Sequence, residues 1–282
     1  MIKRRFTIGQ LMLAIAAVAL EFGLLPAPVA AFAACLTLAL PLIPMTQWWG
    51  AVAFSVLGLA VLGLVLPVTT RCVFPRSSQC ANNLRQVSLA LQAYRHEHGC
   101  FPPSYVADAK GRPLYSWRVL ILPYLDQQDL YVAFNLSEPW DSPNNLPISD
   151  ASLRIFACPE GDSSPRETSY LAVIGPGTAF PGVGTVTEAD LRDGASTTIV
   201  LVEVAGAKVR WAEPRDLDVS TMSLSLNDPT RLGISGFGAK GPAVAFADGS
   251  VTRLGRSLPP KTLKALLTID GGETIDVGEL GR

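Results

Sequence analysis

Charge is distributed along this chain in two unequal parts. From Phe6 to Thr70 the sequence carries one charged side chain, Glu21, whereas from Arg71 onward charged, polar and apolar residues mix as in a water-soluble domain. An apolar helix needs about 20 residues to cross the hydrocarbon core of a bilayer, and the uncharged run has room for three. The first covers 7–25 and stops at Pro26 and Pro28. The second, 29–43, is short and alanine-rich, with Pro41 and Pro44 at its end. The third, 49–68, opens on Trp48 and Trp49 at an interfacial position. A cleaved signal peptide is the rival reading, but the apolar run continues far past Ala30-Ala31-Phe32-Ala33, the stretch that imitates a cleavage site. Residues 1–70 are therefore read as a membrane anchor and 71–282 as a separate domain.

The soluble part opens on a helical pattern. Leu84, Val87, Leu91 and Tyr94 recur at spacings of three and four, which predicts a helix over 79–98 with one apolar stripe. Ser77 or Ser78 is the expected cap, and Gly99 with Pro102-Pro103 the expected stop. Arg85, Gln86, Gln92 and Arg95 are assigned to its wet side. The stripe is narrow, so the helix is expected to lie on a sheet. A second helical stretch starts at Ser116 and runs toward Phe134, kinked or broken by Pro123. From about 153 the period becomes that of strands. Thr168–Ile174, Thr197–Val204, Ala243–Ala247 and Val251–Leu254 are apolar or β-branched runs bounded by turn residues. Asp248-Gly249 predicts a two-residue hairpin turn with positive φ at both positions and Phe246 opposite Val251, both pointing into the core. Residues 220–241 show no period and read as a flexible excursion. A short closing helix fits Pro259–Thr268.

Composition changes this picture little. The formal net charge is −1, with 24 glycines and 22 prolines, most of them in the soluble part. No basic stripe is present, so nucleic acid is not an expected partner. The turn residues favour an α+β or mainly β body over a helical bundle. Charge does bear on topology. Lys3, Arg4 and Arg5 hold the N-terminus in the cytoplasm under the positive-inside rule. Three crossings then place 71–282 outside the cytoplasm, and two leave it inside. Glu21 falls near the end of the first span, in reach of the interface.

Candidate chemistry is sparse. Of five cysteines, Cys35 sits in the apolar run. Cys80 and Cys100 bracket a helix close to 30 Å long, too far apart for a bridge whose Cα atoms must lie within about 7 Å. Cys80–Cys158 is the pairing we favour, with free thiols as the alternative. The two histidines, His96 and His98, are two residues apart and face different directions on a helix, which makes them poor co-ligands. There is no Cys-x-x-Cys, nucleophile elbow or phosphate loop. Asp193-Gly194 and Asp248-Gly249 read as turns, with calcium oxygens shared with Asp141 and Asn144 as the rival reading. Trp117, Trp140, Asp141, Asn144 and Trp211 form a candidate ligand face, against the plainer reading of core aromatics. No catalytic residue, cofactor or metal site is expected.

Several blocks together resemble the domain-of-unknown-function 1559 family. They include Cys80-Ala-Asn-Asn-Leu-Arg-Gln86, His98-Gly-Cys-Phe-Pro-Pro103, Ser116-Trp-Arg-Val-Leu-Ile-Leu-Pro-Tyr-Leu125 and Glu138-Pro-Trp-Asp-Ser-Pro-Asn-Asn145. Further along come Cys158-Pro159, Thr168-Ser-Tyr-Leu-Ala-Val173, Gly175-Pro-Gly-Thr-Ala-Phe180, Asp193-Gly194, Glu203 and Phe246-Ala-Asp-Gly-Ser-Val251. The blocks are collinear over about 78–273. The family is also labelled a bacterial solute-binding type, and its members resemble pilins or pseudopilins. The resemblance implies an α+β fold in which N-terminal transmembrane helices precede a pilin-like domain, with a long helix packed on an antiparallel sheet. It further implies a bacterial inner-membrane protein with its large domain outside the cytoplasm, a structural or interaction role, and no catalysis. Its expected partners are the lipid bilayer and other envelope or secretion-system proteins. A membrane-tethered solute- or glycan-binding protein is the alternative. Two departures stand out. Arg5 and Gln10 replace the glycine and glutamate of the family's prepilin-like opening around Phe6-Thr-Ile, and Gly238 occupies the place of a family histidine.

Overall fold

The computed structural model describes residues 76–161, 164–238, 240–255, 258–273, 275 and 280. The spans expected over 7–25, 29–43 and 49–68, with Glu21, Cys35, Cys72 and the opening motif, lie outside the described residues. Contacts divide the chain into two units, Met1–Val73 and Phe74–Arg282, and the fold described below is that of the second. Among the described residues no helix is long and apolar enough to cross a membrane.

Helix α1 (Arg76–His98) buries Cys80, Leu84, Val87 and Leu91 on one face, a spacing of four, three and four that keeps them in line. Ser77 and Ser78 lie inside this helix and do not cap it, because the helical hydrogen bonding starts before them. Gly99, at φ +77°, closes it with its N–H on the Arg95 carbonyl, a left-handed terminus that glycine adopts without steric cost. Arg85 and Gln86 are exposed, as expected. Gln92 and Arg95 are not on the wet side. The Gln92 amide donates to the Ala247 carbonyl at 3.0 Å, and the Arg95 guanidinium lies 5.3 Å from the centre of the Phe101 ring.

A hairpin of β1 (Tyr105–Ala107) and β2 (Pro113–Ser116) follows, which the sequence pattern does not announce. All three β1 residues are half-buried, so no alternation marks the strand. The stretch from Ser116 is broken into three pieces. Helix α2 (Trp117–Leu120) is capped by the Ser116 hydroxyl, a 3-10 turn covers Leu122–Leu125 around Pro123, and α3 spans Gln128–Ala133. One turn, α4 (Leu146–Ser149), ends the polar loop. A two-stranded ribbon pairs β3 (Glu167–Thr168) with β6 (Val209–Arg210).

The main sheet has β4 (Tyr170–Ile174), β5 (Ile199–Glu203), β7 (Leu217–Asp218), β8 (Ala243–Phe246) and β9 (Val251–Arg253), in the order β7-β4-β5-β8-β9. Every pairing is antiparallel except β4 with β7. Alternation along β4 and β8 sorts their side chains into two cores. Tyr170, Ala172, Ala243 and Ala245 face α1, whereas Leu171, Val173, Val244 and Phe246 face the closing helix α5 (Pro260–Leu267). Val200 and Leu201 both join the α1 side because the register shifts between Ile199 and Leu201. Ala243, Ala245 and Ala247 beneath α1 leave room for the helix backbone to settle close to the sheet. The fold is therefore α+β, with α1 on one face of a mainly antiparallel sheet.

The β8–β9 turn differs from expectation. Gly249 alone has positive φ, at +89°, and its N–H bonds the Phe246 carbonyl, while Phe246 N–H bonds the Ser250 carbonyl. This is a three-residue loop closed by a left-handed glycine. Val251 consequently pairs with Ala245, not Phe246, and Phe246 and Val251 pack on opposite faces. Of the stretch expected to be a flexible excursion, residues 220–238 lack regular structure but are packed and bonded. Met222 and Ile234 are buried, and Ser223 and Thr230 donate to the Asp228 carboxylate.

Candidate functional site

The sequence-derived candidates fall into separate places. Cys80 on α1 and Cys158 on the facing loop form a disulfide, and Cys100 is a free, half-buried thiol. The bridge is set by its neighbours. The Tyr170 hydroxyl donates to the Cys80 carbonyl at 2.8 Å, and the Asn83 amide donates to the Arg154 and Ala157 carbonyls. Glu203, at the end of β5, lies against the same spot. One ligand atom each from Cys80, Cys158 and Glu203 falls within 4.8 Å of the others, but the two sulfurs are bonded to each other and offer no thiolate.

Glu203 is fully buried. Its Oε2 accepts from Ala243 N–H at 2.9 Å and lies 3.6 Å from Arg253, and its Oε1 has no hydrogen-bond partner among the described residues. Burial pushes this carboxyl above the usual carboxylate range. The Ala243 amide and Arg253 oppose that, and the Glu160 charge adds to it. Burial also pushes the Tyr170 phenol well up. A second buried pair lies under α2. Arg118 donates to Asp216 at 2.5 Å and to the Tyr170 carbonyl, and Asp216 also accepts from Trp117 Nε1 and Ala172 N–H. Burial raises the Asp216 carboxyl and lowers the Arg118 guanidinium, and their contact opposes both shifts.

The proposed ligand face is not assembled. Trp117 and Trp211 are fully buried, and both indole N–H groups are taken, by Asp216 and by the Ala151 carbonyl. Trp211 stacks on Phe156. These rings fill the core because each apolar body finds neighbours and each N–H an internal acceptor. Trp140 is half-buried beneath the Arg210 guanidinium. Asp141 is exposed, and the Asn144 amide is spent on Glu138. Fully buried Asn145 organises that loop, bonding the Asn135, Glu138 and Pro139 carbonyls. The Asp193 carboxylate likewise accepts from Gly271 and Gly272 N–H, and Asp248 from Ser250 N–H. Both serve as turn anchors.

Sequence reasoning missed Glu203, the Arg118–Asp216 pair and Asn145 as site residues. Glu203 and Arg118 had a visible signal, a charged side chain inside an apolar run, whereas Asp216 lies in the charged stretch 213–218 and had none. Two open clefts flank the start of α1. One, of about 500 Å³, lies beside Asn83, Arg154 and Pro159, and the other, of about 350 Å³, lies against β9.

This geometry coincides with a family pattern. Residues 75–182 match the family model SBP_bac_10, a protein of unknown function (DUF1559). The resemblance read from the sequence holds over that stretch, which contains α1, both bridged cysteines, Trp117 and the Trp140 loop. The blocks from Asp193 to Val251 lie beyond the match. No curated protein and no solved structure matches the chain.

Proposed function

We propose that this chain is a membrane-anchored bacterial envelope protein. In this reading its domain beyond residue 70 lies outside the cytoplasm, resembles a pseudopilin, and serves a structural or interaction role and not a catalytic one. The observation that carries the reading is how the space between helix and sheet is filled. Alanines of β8 sit under α1, and Trp117 and Trp211 occupy the core where a binding protein would leave a lined pocket. A long N-terminal helix laid on an antiparallel sheet is what a pseudopilin-like domain requires. The bridge between Cys80 and Cys158 suits an oxidising compartment. The apolar run over 6–70, with Glu21 as its single charge, supports anchorage, and Arg5 and Gln10 in the opening argue for retention in the bilayer over release into a filament. The bilayer and neighbouring envelope or secretion-system proteins are the partners this reading entails.

A second reading, a tethered solute- or glycan-binding protein, draws on the family label and on the cleft of about 500 Å³ beside Asn83 and Arg154.

Sidedness is the decisive test. Lys261 is exposed on α5. A Lys261→Cys variant of the full chain, with Cys35, Cys72 and Cys100 each changed to Ser so that the new thiol is the one outside the bridge, is expected to react with an impermeant maleimide in spheroplasts. Reaction only after the inner membrane is breached contradicts the external placement.

A further inference from the structure

The smaller cleft has an unusual charge balance. Ser77, Ser78, Asn82 and Arg85 of α1 form one wall, and Lys240 and Arg253 another, with an opening of about 350 Å³ between them. No carboxylate lines it among the described residues. Arg253 is already committed, to Glu203 and to the Gly241 and Ser77 carbonyls. Arg85 and Lys240 are exposed and have no ion-pair partner among the described residues. Helix α1 offers Arg85 no acid one turn away, since its first acidic residue is Glu97. Two uncompensated cations, two hydroxyls and an amide therefore converge on one concave space. A cleft lined by one sign of charge concentrates ions of the opposite sign.

We infer that this cleft binds a phosphate group, with Arg85 and Lys240 taking the oxygens and Ser77, Ser78 and Asn82 fixing its orientation. Guanidinium and ammonium donors match phosphate oxygens through charge-assisted hydrogen bonds. The phosphate can come from a soluble phosphate ester or from an anionic phospholipid headgroup. The headgroup source rests on the anchored reading above. Its ground is the sequence, in which Ser77 follows Thr70, the end of the apolar run, by seven positions.

The full-length protein in neutral detergent, titrated calorimetrically, tests this without depending on sidedness. The probes are glycerol 1-phosphate, dihexanoyl phosphatidylglycerol and dihexanoyl phosphatidylcholine, whose ammonium cancels its phosphate charge. Phosphatidylglycerol is expected to bind more tightly than phosphatidylcholine. The double variant Arg85→Gln, Lys240→Gln should weaken it at least about tenfold, because two charge-assisted contacts are lost. Arg192→Gln, Lys261→Gln, which changes exposed cations outside the cleft lining, should bind as wild type. Binding of both glycerol phosphate and phosphatidylglycerol supports a site for the phosphate itself, and binding of phosphatidylglycerol alone supports the lipid source. Binding of neither glycerol phosphate nor phosphatidylglycerol, or equal binding by the cleft variant, overturns the inference. Failure of the maleimide test would leave a glycerol phosphate result standing.

Discussion

At the residue scale, buried polar atoms without partners mark where the interior is under electrostatic load. Glu203 is the foremost case. Its carboxyl is raised in the folded protein, chiefly by burial, so the folded state binds the proton more tightly than the unfolded chain does. Stability from this group is therefore full below the ordinary carboxylate range and declines as pH rises through the folded value. Glu203→Gln should remove that slope. Denaturant melts at about pH 4 and about pH 7 are expected to show the variant gaining on wild type as pH rises, and parallel curves would contradict the assignment. Ser88 offers a simpler test. Its hydroxyl is fully buried without a hydrogen-bond partner among the described residues, so Ser88→Ala should raise stability by about 1 kcal/mol, read as a higher midpoint in the same melts.

At the element scale, the α1–sheet contact is the critical joint. Ala245 is completely buried on the α1 side of β8, and Ala245→Leu would push helix from sheet. A loss of about 1–3 kcal/mol is expected, and a variant as stable as wild type would mean that α1 sits more loosely than described. The bridge between Cys80 and Cys158 closes a separation of 78 residues. By loop-closure entropy its removal should cost about 4 kcal/mol. Comparing thermal melts of Cys80→Ser, Cys158→Ser with wild type checks this.

At the scale of the whole molecule, one described domain follows a long apolar run whose single charge is Glu21, and in the proposed anchored reading its side of the membrane governs which partners it can meet. The maleimide experiment therefore ranks above any single mutation for function. The domain itself has its aromatic mass inside, with Trp117, Trp211, Tyr170, Phe156 and Phe180 among its largest fully buried side chains. In the proposed interaction role, contact falls on the surface of the described residues, such as the start of α1 or the Trp140 loop.

Local physics made α1, the closing helix and the runs that became β4, β5, β8 and β9 legible in the sequence, since each depends on spacing along a short stretch. The break at Pro123 was legible too, because a missing N–H acts where it stands. The pairing of Cys80 with Cys158 was approachable by eliminating the helix-spanning alternative. Other features needed the fold. Whether Trp117 and Trp211 line a surface or fill a core depends on acceptors 99 and 60 residues away, at Asp216 and Ala151. The β1–β2 hairpin has no periodic signature of its own, and the Phe246–Val251 register turned on one backbone angle at Asp248. Glu203 was visible as a charge in an apolar strand, but its orphaned oxygen and its place beside the disulfide arise only when β5, α1 and the loop carrying Cys158 converge. Sequence alone decided what each segment could become, because helix and strand periods are local. Tertiary structure decided which polar groups are compensated, because their partners come from distant parts of the chain.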